Sequence, residues 1–151
     1  TSYLRSKCII SPQAMHHLTN NRFYDIITVI GGVAMKENKL VELSMEFSVD
    51  IINLVKFLKS NHEIIIANQI GRSGTSIGAN IHEAQYAQGT KDFISKFEIA
   101  LKEASETGYW LELLYRTKYI DEQTFKTLSS KCTSLRVMLI ASCKTLKEGR
   151  K

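Results

Sequence analysis

The stretch Gln69–Tyr86, QIGRSGTSIGANIHEAQY, decides how the rest of this chain is read. Ile66, Ile70, Ile77, Ile81 and Ala84 recur through it at helical intervals, and that periodicity favours an α-helix. Gly71, Gly74 and Gly78 interrupt the same pattern, each costing a helix about 1 kcal/mol relative to alanine. Successive steps of three and four residues place them on one stripe beside the isoleucines. Small residues in a row let a second helix approach closely, which offsets the cost. The alternative is a glycine-rich loop with no helix, and the isoleucine periodicity argues for close packing instead.

Working outward, the preceding segment has apolar residues at Leu40, Leu43, Phe47, Ile51, Leu54 and Leu58, a sustained alternation of three and four that predicts an amphipathic helix ended by Ser60 and Asn61. The second helix is expected from Glu63 to about Gln88, with Gly89 as its stop and Thr90 as the cap of a third. The third presents Phe93, Phe97, Ala100, Ala104, Leu111 and Leu114 on one side and ends near Lys118 to Ile120. Asp121 is placed to cap a fourth, with the stripe Phe125, Leu128, Cys132, Leu135, Leu139 and Leu146. Four such helices on short connections predict an all-α, antiparallel up-down-up-down four-helix bundle over residues 35–151. Residues 1–34, which hold the only proline, Pro12, and the pair Gly31-Gly32, read as an N-terminal extension or leader, or as an added element packed on the bundle.

With 151 residues, 23% of them charged, the chain suits one compact domain with a substantial core. The formal net charge of +5 permits attraction to RNA, DNA or another anionic partner without requiring it. Cys8, Cys132 and Cys143 form no CxxC pair, which favours buried thiols in a reducing cytoplasm. No apolar run is long enough to span a membrane.

Once the second and third helices are placed, the chain resembles the four-helix-bundle proteins encoded within 23S rRNA intervening sequences. The motif QxxRSxxSIxxNIxE carries the likeness in Gln69, Arg72, Ser73, Ser76, Ile77, Asn80, Ile81 and Glu83. A second match lies in KFEIALKEASETGYWLELL, through Phe97, Ala100, Ala104, Glu106, Thr107 and Leu111. The resemblance covers about Met35 to Lys147. It implies a homopentamer of four-helix protomers, and kinship with the accessory variability determinant of diversity-generating retroelements, a basic pentamer that works with a reverse transcriptase and nucleic acid. His82 before Glu83 and Ala84 after it depart from the family's usual small residues there.

The residues themselves point away from catalysis. GRSGTSIG lacks the Gly-Lys-Ser/Thr ending and preceding strand of a phosphate-binding loop. His62-Glu63 and His82-Glu83 are adjacent pairs, without the Glu-x-x-His spacing of a di-iron bundle, so no metal or cofactor is expected. Arg72, Ser73, Ser76 and Asn80 read as structural, with Arg72 meeting a carboxylate among Glu83, Glu103 and Glu106. Tyr109, Trp110 and Tyr115 read as core or interface aromatics. The fourth helix is basic: Lys126, Lys131, Arg136, Lys144, Lys147, Arg150 and Lys151 stand against Asp121, Glu122 and Glu148. These lysines and arginines are the candidate contacts to an RNA or DNA backbone, multiplied around a ring. The bland alternative is a solvated face and basic tail on an adaptor, one whose partner is a protein such as a polymerase.

Overall fold

The computed structural model describes residues 33–148 of the chain. Within them lie four α-helices: α1 (Val33–Ser60), α2 (Ile65–Ala84), α3 (Thr90–Arg116) and α4 (Glu122–Glu148). No strand occurs among the described residues. Apart from Val33 and Ala34, the expected extension at 1–34 lies outside them, as do Arg150 and Lys151.

Each neighbouring pair of helices runs antiparallel, as short connections require. Gly71, Gly74 and Gly78 on α2 meet Val55, Ile51 and Ser48 on α1, stepping down one helix while climbing the other. Ser73 of α2 meets Thr107 of α3, Lys96 of α3 meets Glu83 of α2, and Cys132 of α4 meets Ala104 of α3. Lys131 of α4 closes the circuit on Asp50 of α1. The result is the up-down-up-down four-helix bundle.

The core takes one stripe from each helix: Leu40, Phe47, Ile51, Leu54 and Leu58; Ala67, Ile70, Ile77, Ile81 and Ala84; Phe97, Ala100, Ala104, Leu111 and Leu114; Leu128, Cys132, Leu135, Leu139 and Cys143. The glycine stripe is an intramolecular device. A methyl group on Gly74 would stand 2.8 and 2.9 Å from Ile51 Cγ1 and Cγ2, and one on Gly78 would stand 2.9 Å from Ser48 Oγ. Those distances leave no room for a Cβ, so α1 sits against bare α2 backbone. Ser44 is buried on α1 where it approaches Gly78, with its hydroxyl donating to the Val41 carbonyl at 2.7 Å.

Several expectations need correction. Helix α2 is shorter than the expected 63–88, because after Ala84 the backbone turns: the Tyr86 N–H bonds the Glu83 carbonyl and the Ala87 N–H bonds that of Ala84. Thr90 is the first residue of α3 and not its cap; Gly89 is the N-cap, and Asp92 reaches back to the Gln88 N–H at 3.2 Å. Leu43, Phe93, Phe125 and Leu146 are only partly buried, while Ser44, Ile94 and Cys143 are buried, a shift around the helix that follows from which neighbour each face meets. Asp121 does cap α4, its Oδ1 accepting the Thr124 N–H at 2.8 Å. Thr124 holds the carboxyl below its ordinary range, first through its side chain and then through that N–H.

The α1–α2 and α3–α4 turns share a construction. His62 and Lys118 both have φ of 62°, left-handed backbone that suits glycine better than either residue. In each, the next N–H bonds a carbonyl five residues back, Glu63 to Leu58 and Tyr119 to Leu114, which closes a Schellman motif on the helix end. Glu63 then serves both turns. Its Oε1 accepts the Ile66 N–H at 2.8 Å, capping α2 where Ile64 has no side-chain acceptor to offer. It also accepts the Tyr119 hydroxyl, which holds that phenol above its ordinary range.

Candidate functional site

The motif of α2 divides by face. Ser73 is fully buried and lies 3.0 Å from Thr107 Oγ1, which is itself 2.8 Å from the Glu103 carbonyl. Two hydroxyl protons serve these two contacts, so a polar pair sits in the core without an unmet donor. Gln69, Arg72, Ser76, Asn80 and Glu83 form a second stripe along the rim of the α2–α3 seam. Arg72 Nη2 bonds Glu106 Oε1 at 3.1 Å, and the same oxygen accepts from Trp110 Nε1 at 3.2 Å. Asn80 turns back on its own helix, its Nδ2 donating to the Ser76 carbonyl at 2.8 Å. Glu83 takes Lys96 at 2.6 Å, a hydrogen bond that holds the lysine above its ordinary range. The expected carboxylate for Arg72 is therefore Glu106. Glu103 Oε2 is buried without a hydrogen-bond partner among the described residues. With Arg72 64% exposed, its ion pair ties the seam more by geometry than by energy.

The candidate nucleic-acid contacts on α4 have a different setting from the one their sequence suggests. Lys131 bridges to Asp50 at 2.6 Å and is only 31% exposed, so it joins α4 to α1. Lys147 bonds Glu98 at 2.6 Å across to α3; that hydrogen bond raises the lysine and lowers the carboxylate. Lys126 pairs with Glu122 at 2.6 Å and Lys144 with Glu148 at 3.8 Å, one turn away on α4 itself. Arg136 is exposed and makes no ion pair among the described residues. Arg150 lies outside them. Residues 33–148 hold fifteen lysines and arginines against fourteen aspartates and glutamates, a net charge of +1, so most of the chain's +5 belongs to its two terminal stretches.

Other chemistry is sparse. Cys132 and Cys143 are free and buried. Burial pushes the Cys132 thiol up to about 11 against the opposing pull of Arg136, and its Sγ donates to the Ala104 carbonyl at 3.3 Å. Burial also raises Cys143, with Glu98 adding to the effect. No group of three or more His, Cys, Asp or Glu among the described residues is placed to hold a metal ion. None of the described helices is long and apolar enough to cross a membrane. An open cleft of about 1010 Å³ lies between α1 and the α3–α4 turn, walled by Leu54, Phe57, Tyr115, Tyr119 and Leu128. Tyr115 stacks on Phe125 beside it, with ring centroids 4.6 Å apart and planes at 10°.

With helix order, motif face and seam in place, the comparison with known proteins becomes specific. Residues 36–141 match the family model described as 23S rRNA-intervening sequence protein. The chain belongs to that family. A crystal structure of a protein of unknown function from the S23 ribosomal protein family, from Bacteroides thetaiotaomicron VPI-5482, is 50% identical. The match covers 72% of this chain and 98% of that one, with a TM-score of 0.71. No curated protein matches. The family membership accounts for the QxxRSxxSIxxNIxE pattern in structural terms. Ser73 and the two isoleucines pack inward, the glycines between them accept α1, and Arg72 and Glu83 reach across to α3.

Sequence reasoning passed over Thr107 as a core polar residue, although it stands in the third-helix motif. Its signal was available: a threonine in register with Ala100, Ala104, Leu111 and Leu114 is on the buried face, and a buried hydroxyl implies a partner.

Proposed function

We propose that this intervening-sequence family member is a non-enzymatic accessory bundle that works by binding, first to copies of itself and then, as an assembly, to a protein partner such as a polymerase. One observation carries the reading. After the core is closed, Met45, Val49 and Ile52 on α1, Tyr109 on α3 and Val137 and Ile140 on α4 remain exposed. Met45, Val49 and Ile52 share one side of α1 and Val137 and Ile140 lie one turn apart on α4, and grouped exposed apolar side chains mark surfaces for other macromolecules. The free buried thiols fit a cytoplasmic setting. Light-scattering mass at micromolar concentration tests the self-association, and the same mass checks the copy number of five that the family resemblance implies. A monomer refutes the proposal.

A second reading, binding to an RNA or DNA backbone, is favoured by Lys126, Arg136 and Lys144, whose side chains are exposed along α4. The net charge of +1 on residues 33–148 weighs against it, and the basic ends of the chain weigh for it. Titration of single-stranded RNA at low and moderate salt distinguishes the two. Backbone binding weakens steeply with salt, and no binding at either ionic strength excludes this second reading.

A further inference from the structure

Two neighbouring helices carry outward apolar faces of unlike shape. On α1, Met45, Val49 and Ile52 are 61%, 53% and 43% exposed. On α4, Val137 and Ile140 are 60% and 50% exposed, set among the exposed small side chains of Ser130, Thr133 and Ala141. Large side chains on one helix and small ones on the other suit a knobs-into-holes seam. Around α1, Val49 points away from the core, and Met45 and Ile52 lean about 40° and 60° toward the flank of Ser48, which meets α2. Around α4, Val137 points away from the core, and Ile140 leans about 60° toward the flank of Lys147, which meets α3.

The bundle fixes the angle between these faces. At two neighbouring corners of a square of helices, outward faces stand about 90° apart, so seating α1 of one copy on α4 of the next turns each copy by about 90°, or by about 72° with a slight splay. Such a contact closes after about four or five copies, a range that holds the copy number of five expected above. The α1–α4 edge then faces the lumen, and the α2 flank of one α1 lies beside the α3 flank of the next α4. Met45, Ile52 and Ile140 all lie on that side of the seam. Rotation about an axis along the helices keeps every residue at its own height. Asp50 and Lys131 are level within one chain, so they set the register between chains as well. Counting back along α1 and forward along α4, Met45 comes level with Val137 of the next copy, and Val49 with Thr133 of the next copy. Counting the other way, Lys56 comes within a turn of Glu122 of the next copy. Lys56 is exposed and makes no ion pair among the described residues, so opposite charges meet where the apolar contact ends. We infer that, within the self-association proposed above, the outer face of α1 seats on the outer face of α4 of the next copy, a head-to-tail contact that closes a ring.

The test uses the full chain, with mass measured by light scattering. Met45→Glu and Val137→Glu are each expected to reduce the assembly to single chains at micromolar concentration, with the melting temperature of the dilute protein unchanged, because both residues face out of their own bundle. A Met45→Glu copy keeps its α4 face and a Val137→Glu copy keeps its α1 face. Their equimolar mixture is therefore expected to form pairs and to stop there, read at up to about 1 mM because one open junction lacks the multivalency of a ring. In a Cys8→Ser background, Met45→Cys/Val137→Cys is expected to link three or more copies on oxidation, whereas either new cysteine alone stops at pairs. A wild type that stops at two copies overturns the inference, as do a Val137→Glu or Met45→Glu assembly of unchanged mass, a mixture that stays monomeric, and a double-cysteine variant that stops at pairs. Loss of several degrees of melting temperature in either dilute glutamate variant also overturns it, because the chain's own residues would then cover that face. A monomeric wild type removes this inference and the self-association together, whereas an assembly indifferent to both glutamates removes only this inference.

Discussion

Gly74→Ala tests how closely α1 and α2 are clamped. The added methyl stands 2.8, 2.9 and 3.2 Å from Cγ1, Cγ2 and Cδ1 of Ile51, a fully buried side chain with no solvent to move into. Overpacking of this kind costs about 1–3 kcal/mol. Alanine returns about 1 kcal/mol of helix propensity, so the net expectation lies between no change and a loss of about 2 kcal/mol. Gly108→Ala is the control, because nothing lies within 4 Å of a Cβ there and only the propensity gain of about 1 kcal/mol remains. A second arm removes the clashing atoms. Ile51→Ala alone should cost about 2–5 kcal/mol through the cavity it leaves. In that background Gly74→Ala should change sign and stabilise by about 1 kcal/mol, its propensity gain no longer opposed. Urea unfolding of the four proteins at one low concentration gives the coupling directly, expected at about 1–3 kcal/mol. Stabilisation by Gly74→Ala in the wild-type background, equal to that of Gly108→Ala, would refute the clamp.

Other consequences follow from the same geometry. Thr107→Val should destabilise by about 1–3 kcal/mol by leaving Ser73 without its buried partner, whereas Ser73→Ala/Thr107→Val should recover much of the loss, as read by thermal or urea unfolding. Lys118→Gly should stabilise by about 1 kcal/mol, because glycine adopts the left-handed turn without strain, and the melting temperature should rise by a few degrees. Asp121 has a folded-state pKa below its unfolded value, so its contribution is present above the ordinary carboxylate range and lost as pH falls through the lowered value. Asp121→Ala should therefore reduce stability at pH 7 and have little effect in strong acid, measured as melting temperature against pH. At pH 8 the Cys132 thiol is protonated and buried, and maleimide labelling should be slow until urea opens the bundle.

The fold was legible because its signals were local. The three-and-four alternation from Leu40 to Leu58 fixed α1, and Asp121 marked the start of α4 through a side chain suited to one job. An Arg72–carboxylate contact was also expected, within a protomer or between protomers, from the acidic residues Glu83, Glu103 and Glu106 on the second and third helices, and the choice of Glu106 depended on the register between them. Less was legible on α4. Lys147 finds Glu98 at a separation of 49 residues and Lys131 finds Asp50 at 81, so two of the basic residues became ties between helices, while Lys126 and Lys144 pair within α4. The core boundary also moved. Cys143 is buried where Leu146 was expected, and Ser44 is buried because Gly78 leaves space only for a small side chain opposite it. Pattern reading ranks residues by hydropathy, whereas the helix interface selects them by shape.

Glu63 has a consequence for how the bundle opens. One carboxylate holds the Ile66 amide in the first turn of α2 and the hydroxyl at the far turn, so the ends of the α1–α2 and α3–α4 hairpins are fastened at a common point. Fraying at that end then becomes a joint event. The amides of Ile66 and of the 117–120 turn should exchange with solvent at one shared rate, and Glu63→Gln should loosen both while the opposite end of the bundle keeps its protection.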